Sequence, residues 1–170
     1  PIGLTFGRVL KLFGIQNLIV TAKGERRVQE ARNCGADIVV DTQKERVEDV
    51  MRAHWPYGAD LVIDAVGRGP IFSEALPLMN PQGRLILFGF DANASTTLPP
   101  SLFTLNELSV CGVLGKDFPS ALEILKRKDL ALDRFITHRL ALDDILQGID
   151  LMRRKEACRV IVYPNGSPIA

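Results

Sequence analysis

The chain has 170 residues, 46% of them hydrophobic, and 21 Lys and Arg against 20 Asp and Glu leave a net charge of +1. That is the size and composition of one compact soluble domain with a core of its own. The charges are spread along the chain, which gives no electrostatic footprint for nucleic acid or an anionic membrane, and no apolar run nears the roughly 20 residues that span a bilayer. A basic-then-apolar leader pattern is not found either, so a cytoplasmic or organelle-matrix location is the expectation. The three cysteines, Cys34, Cys111 and Cys158, stand far apart with no C-x-x-C pair and no histidine at metal-ligand spacing. They are read as reduced thiols in or near the core.

Ile2, Phe6, Val9, Leu10 and Phe13 recur at helical spacing before Gly14, which predicts an amphipathic helix over residues 1–13 with a glycine cap. Residues 17–21 (NLIVT) read as a short buried strand, and residues 25–33 as a second helix stopped at Gly35. Strand 38–41 (IVVD), helix 45–53 and strand 61–64 (LVID) continue the alternation. A helix over 70–79 opens on Pro70 and ends at the Asn80-Pro81-Gln82-Gly83 turn before strand 84–88. Short apolar runs separated by helices predict parallel strands covered on both faces by right-handed crossovers, a doubly wound α/β sheet. Residues 90–100 form a polar connection to a strand at 108–114. Helix 120–127, strand 135–140, helix 143–154 and strand 158–163 then make a second, α+β block, with a boundary near Gly115.

In a dinucleotide-binding sheet, a first strand and a glycine-rich turn precede the helix whose N-terminus receives the pyrophosphate. This sequence opens on the helix. Pro1-Ile2-Gly3 looks like the close of a G-x-G-P-x-G turn, so the expected fold is a Rossmann-like sheet lacking its first strand and first two glycines. Taken alone, the tripeptide equally describes any helix that begins with proline and carries glycine in its first turn. About twenty residues on, where an acidic side chain would hold the ribose hydroxyls of NAD, stands Ala22, followed by Lys23, Gly24, Glu25, Arg26 and Arg27. A carboxylate there would repel a 2′-phosphate, whereas a small residue followed by cations admits and neutralises it, which points to NADP(H) over NAD(H). The alternative is that these cations are a solvated first turn, although they then sit against the positive end of the helix dipole.

Four segments in order, TAKGERRVQEARNCGAD (21–37), DAVG (64–67), GRLILFGF (83–90) and FITHRLALDDI (135–145), resemble the zinc-type medium-chain dehydrogenases that include alcohol, sorbitol and threonine dehydrogenases. The resemblance covers essentially the whole chain. It implies that Ile2 and Gly3 lie at the pyrophosphate, with Ile2 also near the nicotinamide. It places Ala22, Lys23 and Arg27 around the adenosine ribose and its phosphate, with Arg26 a weaker candidate. Val66 and Gly67 would line the groove, and Phe88, Gly89 and Phe90 would present backbone groups to the nicotinamide and its carboxamide. Val113 falls in a similar position, and Arg159 would reach back to the pyrophosphate. Without the resemblance, Val66 and Phe88 read equally as strand-end core residues and Arg159 as a surface cation. Asp64 reads as a strand-end hydrogen-bonding residue, His138 as structural, and His54 has no partner in the sequence.

The resemblance assigns no catalytic or metal-binding residue to this chain. The zinc that polarises the alcohol or carbonyl oxygen is expected in an N-terminal domain outside this sequence, so residues 1–115 would be the dinucleotide-binding domain and 116–170 the C-terminal part of the catalytic domain. The implied function is NADP(H)-linked interconversion of a secondary alcohol or polyol and a ketone, with the chain alone inactive. A homodimer or homotetramer through the edge strand near 108–114 is implied too. The competing readings are a non-catalytic dinucleotide-binding or dimerisation module and a zinc-free NADPH reductase. A methyltransferase-like doubly wound domain fits less well with the F-G-F and T-H-R-L signatures.

Overall fold

A computed structural model describes residues 2–166. Helix α1 (Ile2–Leu12) turns Leu4 and Gly7 inward and carries Lys11 in its last turn, where a cation complements the helix dipole. Lys11 Nζ donates to both carboxylate oxygens of Asp37, at 2.9 and 2.7 Å, and Asp37 Oδ2 also accepts the Leu18 N–H at 2.7 Å. That clamp sets the entry to β1 (Ile19–Ala22), which pairs in parallel with β2 (Ile38–Asp41) after the crossover helix α2 (Glu25–Asn33). The register runs from Ile19 opposite Ile38 to Ala22 opposite Asp41. Leu18, Val28, Ala31, Cys34 and Val40 bury this layer.

Helix α3 (Val47–His54) leads to a second parallel sheet of β3 (Ala59–Asp64), β4 (Met79–Leu87) and β5 (Ser109–Gly112), in the order β3-β4-β5. Helices α4 (Gly69–Ala75) and α5 (Pro100–Asn106) connect its strands. Ala75, Leu76 and Leu85 form its buried centre, against which Val62, Phe72, Leu87, Leu102 and Phe103 pack. No ladder joins β1 to β3. The orders β2-β1 and β3-β4-β5 are those that flank the central strand in the 3-2-1-4-5-6 order of a doubly wound dinucleotide sheet. Helix α1 packs against both sheets: a Cβ on Gly7 would meet Cys34 and Leu18, while the Phe6 ring stands edge-on to Phe88 at 5.1 Å.

Compact units divide at Pro119/Ser120, inside the first turn of α6 (Phe118–Leu125) and a little beyond Gly115. In the later unit, β6 (Ile136–Ala141) and β7 (Arg159–Tyr163) pair in parallel around α7 (Ile145–Arg153), with Leu130, Phe135, Leu151, Ala157 and Cys158 buried. Thr137 Oγ1 accepts the Cys158 N–H at 3.0 Å and lies 3.0 Å from His138 Nδ1, so His138 has a local structural partner.

Several boundaries differ from the sequence reading. The helix expected over 70–79 is α4 followed by a 3-10 turn at Leu76–Leu78, and β4 already begins at Met79. The Asn80–Gly83 turn survives as a bulge within β4, because pairing jumps from Ala59/Met79 to Leu61/Arg84 and Gln82 adopts φ 67°. Helix α5 was not expected, and β5 is shorter than 108–114. Cys34 and Cys158 are buried, but Cys111 is exposed on the edge strand β5, contrary to the core placement expected for all three. Among the described residues no helix is long and apolar enough to cross a membrane.

Candidate nucleotide-binding site

Two strand-end turns build one side of the site. Asp64 closes β3 with 4% of its surface exposed. Its Oδ1 accepts the Val66 and Gly67 N–H groups at 2.8 and 3.0 Å, so the chain curls directly after the strand. Its carbonyl accepts the N–H groups of Phe88 and Gly89 at 3.0 and 2.8 Å, which ties the end of β4 to the same point. The turns touch backbone to backbone: a Cβ on Gly67 would collide with the Gly89 carbonyl carbon, and one on Gly89 with the Gly67 nitrogen. Gly67 also has φ 83°, so glycine is required there twice over.

The first turn of α1 lies beside this pair, since a Cβ on Gly3 would be 4.0 Å from Ala65 Cβ. Ile2, Val66 and Phe90 are 43%, 49% and 86% exposed. They put apolar surface around the glycines, which suits a planar ring more than water. The expectation that Phe88 and Gly89 present backbone groups narrows to one kind: their amides are already bonded to the Asp64 carbonyl, which leaves their carbonyl oxygens to face a carboxamide. The Val113 N–H likewise donates to Leu87 O at 3.0 Å.

The ends of β1 and β2 build the other side. Ala22 is opposite Asp41, and its carbonyl accepts both the N–H and the Oγ1 hydroxyl of Thr42, at 2.9 and 3.2 Å. Asp41, 5% exposed, accepts the N–H groups of Gln43 and Gly24 on Oδ1 at 3.1 and 3.2 Å. Those two backbone amides hold its carboxyl below the usual aspartate value. Lys44 Nζ lies 3.8 Å from Oδ2 and offsets the charge. Lys23 and Arg27 are exposed at the start of α2 with no ion-pair partner among the described residues, whereas Arg26 pairs with Glu30 at 3.6 Å.

The structure therefore gathers Ile2, Gly3, Val66, Gly67, Phe88, Gly89 and Phe90 around one pair of turns and Ala22, Lys23, Arg26 and Arg27 around another. Arg159 belongs to the later unit, exposed at the start of β7. Sequence reasoning missed Asp41. The available signal was an aspartate ending an apolar strand run, IVVD, the same pattern as LVID at Asp64. Phe6 was assigned only to a helix face, and its contact with Phe88 is tertiary and carries no local signature. No group of three or more His, Cys, Asp or Glu side chains among the described residues could hold a metal ion.

Parallel strands with crossover helices, glycine-lined turns at strand ends and a cationic helix start define a doubly wound nucleotide-binding domain. The chain belongs to the zinc-binding dehydrogenase family, whose model matches residues 1–127. It is 30% identical over 173 aligned residues to an L-threonine 3-dehydrogenase of Escherichia coli O17:K52:H18, covering 95% of this chain and 48% of that protein. Among solved structures it is similar to the alcohol dehydrogenase TADH from Thermus sp. ATN1, at 27% identity and a TM-score of 0.88 over 96% of this chain and 49% of that one. A short chain alcohol dehydrogenase from E. coli CFT073, complexed with the cofactor NADH, matches at 28% identity and a TM-score of 0.87, covering 96% of this chain and 50% of that one. The chain thus spans about half the length of the relatives it matches.

Proposed function

We propose that this chain binds NADP(H) in preference to NAD(H), as the nucleotide-binding part of an enzyme that moves hydride between the nicotinamide and a secondary alcohol or polyol. The observation that carries the cofactor preference is the pair Lys23 and Arg27, two exposed cations without ion-pair partners among the described residues, beside Ala22 at the start of α2. Uncompensated cations at a helix N-terminus are unfavourable until an anion joins them, and a ribose 2′-phosphate is that anion. Asp41 does not oppose it strongly, because its charge is directed to backbone amides and Lys44. The pyrophosphate lies at the first turn of α1, on Ile2 and Gly3, and the nicotinamide on the Gly67/Gly89 turns. Bound there, the cofactor supplies the hydride acceptor or donor. Ile2, Val66 and Phe90 exclude water from one face of its ring, and backbone carbonyls orient the carboxamide.

The remaining roles are part of the same reading. Residues 116–170 belong to the catalytic domain, in which Arg159 serves the pyrophosphate. An open apolar groove of about 470 Å³ along α7 and β7, lined by Ile145, Ile149, Met152, Val160 and Val162, is the kind of surface a further domain covers. The exposed edge β5, with Leu114 just beyond it 78% exposed, is the dimerisation edge. Cysteines Cys34, Cys111 and Cys158 held as thiols, with no disulfide among them, suit a reducing, cytoplasmic setting.

The test is calorimetric titration with NADPH and NADH. Removing Lys23's cation and adding a carboxylate with Lys23→Asp should weaken NADPH by about 1.5–3 kcal/mol, roughly tenfold or more, while NADH changes little. Equal NADPH affinity in the variant would remove the phosphate-site argument.

A further inference from the structure

Asp64 is buried, has no ion-pair partner among the described residues and is not one of the groups expected to touch the cofactor. A carboxylate withdrawn from water is retained where it is hydrogen-bonded, and here the bonds to Oδ1 come from a turn of the site itself. The side chain takes the Val66 and Gly67 amides, and the main-chain carbonyl takes those of Phe88 and Gly89. The Gly67 and Gly89 backbones are in contact, so neither turn can shift without moving the other.

A dinucleotide laid on this unit has its adenosine at Ala22 and Lys23 and its pyrophosphate at the first turn of α1. The other half then has the ends of β3 and β4 as its seat. We propose that Asp64 is the positioning residue of the nicotinamide half: by anchoring both turns it sets where their carbonyl oxygens and the apolar flank of Val66 and Phe90 meet the ring. This rests on the dinucleotide-binding reading above and extends it to a residue with no direct ligand contact. The geometry separates the two halves of the site, because the adenosine side is organised by a different carboxylate, Asp41, through Gly24 and Gln43.

The separation supplies the experiment. The full chain is titrated with NADPH and with 2′,5′-ADP, which carries the adenosine and its 2′-phosphate but no nicotinamide. Asp64→Ala, which frees the Val66–Gly67 turn, should weaken NADPH by about tenfold or more and 2′,5′-ADP by less than about twofold. Asp64→Asn keeps an oxygen in place of Oδ1 and should stay within about threefold of the wild type for both ligands. Should Asp64→Ala fail to fold, Asp64→Ser carries the test: its shorter side chain can serve one amide, and NADPH should fall by about threefold with 2′,5′-ADP unchanged. Equal loss of both ligands in the folded variant, or no loss of NADPH, overturns the positioning role while leaving dinucleotide binding intact. A wild-type chain that binds neither ligand overturns the dinucleotide reading and this inference with it.

Discussion

Gly7 is the tightest point in the packing of α1, and substituting it tests how that helix is held. A Cβ there would stand 2.8 Å from Cys34 Sγ and 3.6 Å from Leu18 Cδ2. Non-bonded heavy atoms sit at about 3.5–4.0 Å, so the Cys34 contact is short by nearly an ångström. Cys34 is fully buried and has no solvent to turn into. Overpacking of this kind costs about 1–3 kcal/mol, and alanine returns about 0.8–1.0 kcal/mol over glycine inside a helix. The net expectation for Gly7→Ala is a loss of about 1 kcal/mol, or roughly 2–4 °C in Tm for a chain of this size. Cys34→Ala alone removes one buried heavy atom and leaves a small void, also a loss of about 1 kcal/mol. In the double variant the new methyl occupies the space of the departed sulfur and the helix keeps its alanine, so stability should return close to wild type. A double-mutant cycle by urea unfolding should then read a favourable coupling of about 2 kcal/mol. Additivity within about 0.5 kcal/mol, or a stabilising Gly7→Ala, would refute the steric account.

Three further outcomes are expected. The Lys11 ammonium and the Leu18 amide hold the Asp37 carboxyl below its ordinary value of about 3.9. A depressed folded pKa means the clamp stabilises fully above that value and weakens as pH falls through the folded pKa. Asp37→Asn should therefore flatten the acid limb of Tm against pH below about pH 4, and identical acid slopes in both proteins would argue against the clamp. Burial raises the Cys34 thiol and keeps it un-ionised, and Cys158 is buried as well, so alkylation of the native chain should modify Cys111 first. If β5 is the dimerisation edge, Cys111 labelling should slow as protein concentration rises; a rate independent of concentration would tell against pairing at that edge.

The strand-and-helix alternation was legible because β1, β2, β3 and the second half of β4 each carry a short apolar run set off by helices or turns. Strand β2 falls on the expected 38–41, and α2 on 25–33. Helix α5 was hidden by the Pro99-Pro100 pair, which reads as a loop but places a proline at the first helical turn, where its missing N–H costs nothing. The bulge in β4 was read as a strand boundary because Asn80-Pro81-Gln82-Gly83 carries turn chemistry; that the chain stays paired on either side of it is a matter of register with β3, which no local window contains. At the site, the glycines and cations were visible as types in order. The donor and acceptor roles were not, because Asp64's hold on Phe88 and Gly89 joins residues distant in sequence and decides which backbone groups are left to face a ligand.

The unpaired edges of β1 and β3 make α1 more than a cover for one sheet. Among the described residues no strand ladder joins the β1-β2 pair to the β3-β4-β5 sheet, and under the proposed reading a dinucleotide reaches from Ala22 to Gly89. Within the described residues side-chain packing on α1 links the two sheets, with Gly7 against Cys34 and Leu18 on one and Phe6 edge-on to Phe88 on the other. Aromatic edge-to-face pairs contribute about 0.5–1.5 kcal/mol beyond their buried area, and a glycine lets two elements approach more closely than any other residue permits. These contacts fix position but supply none of the backbone hydrogen bonds that β1 and β3 would share with an intervening strand. On this account, Asp41 and Asp64 each organise one half-site locally, and α1 determines whether the two halves stand at the separation that one cofactor can bridge.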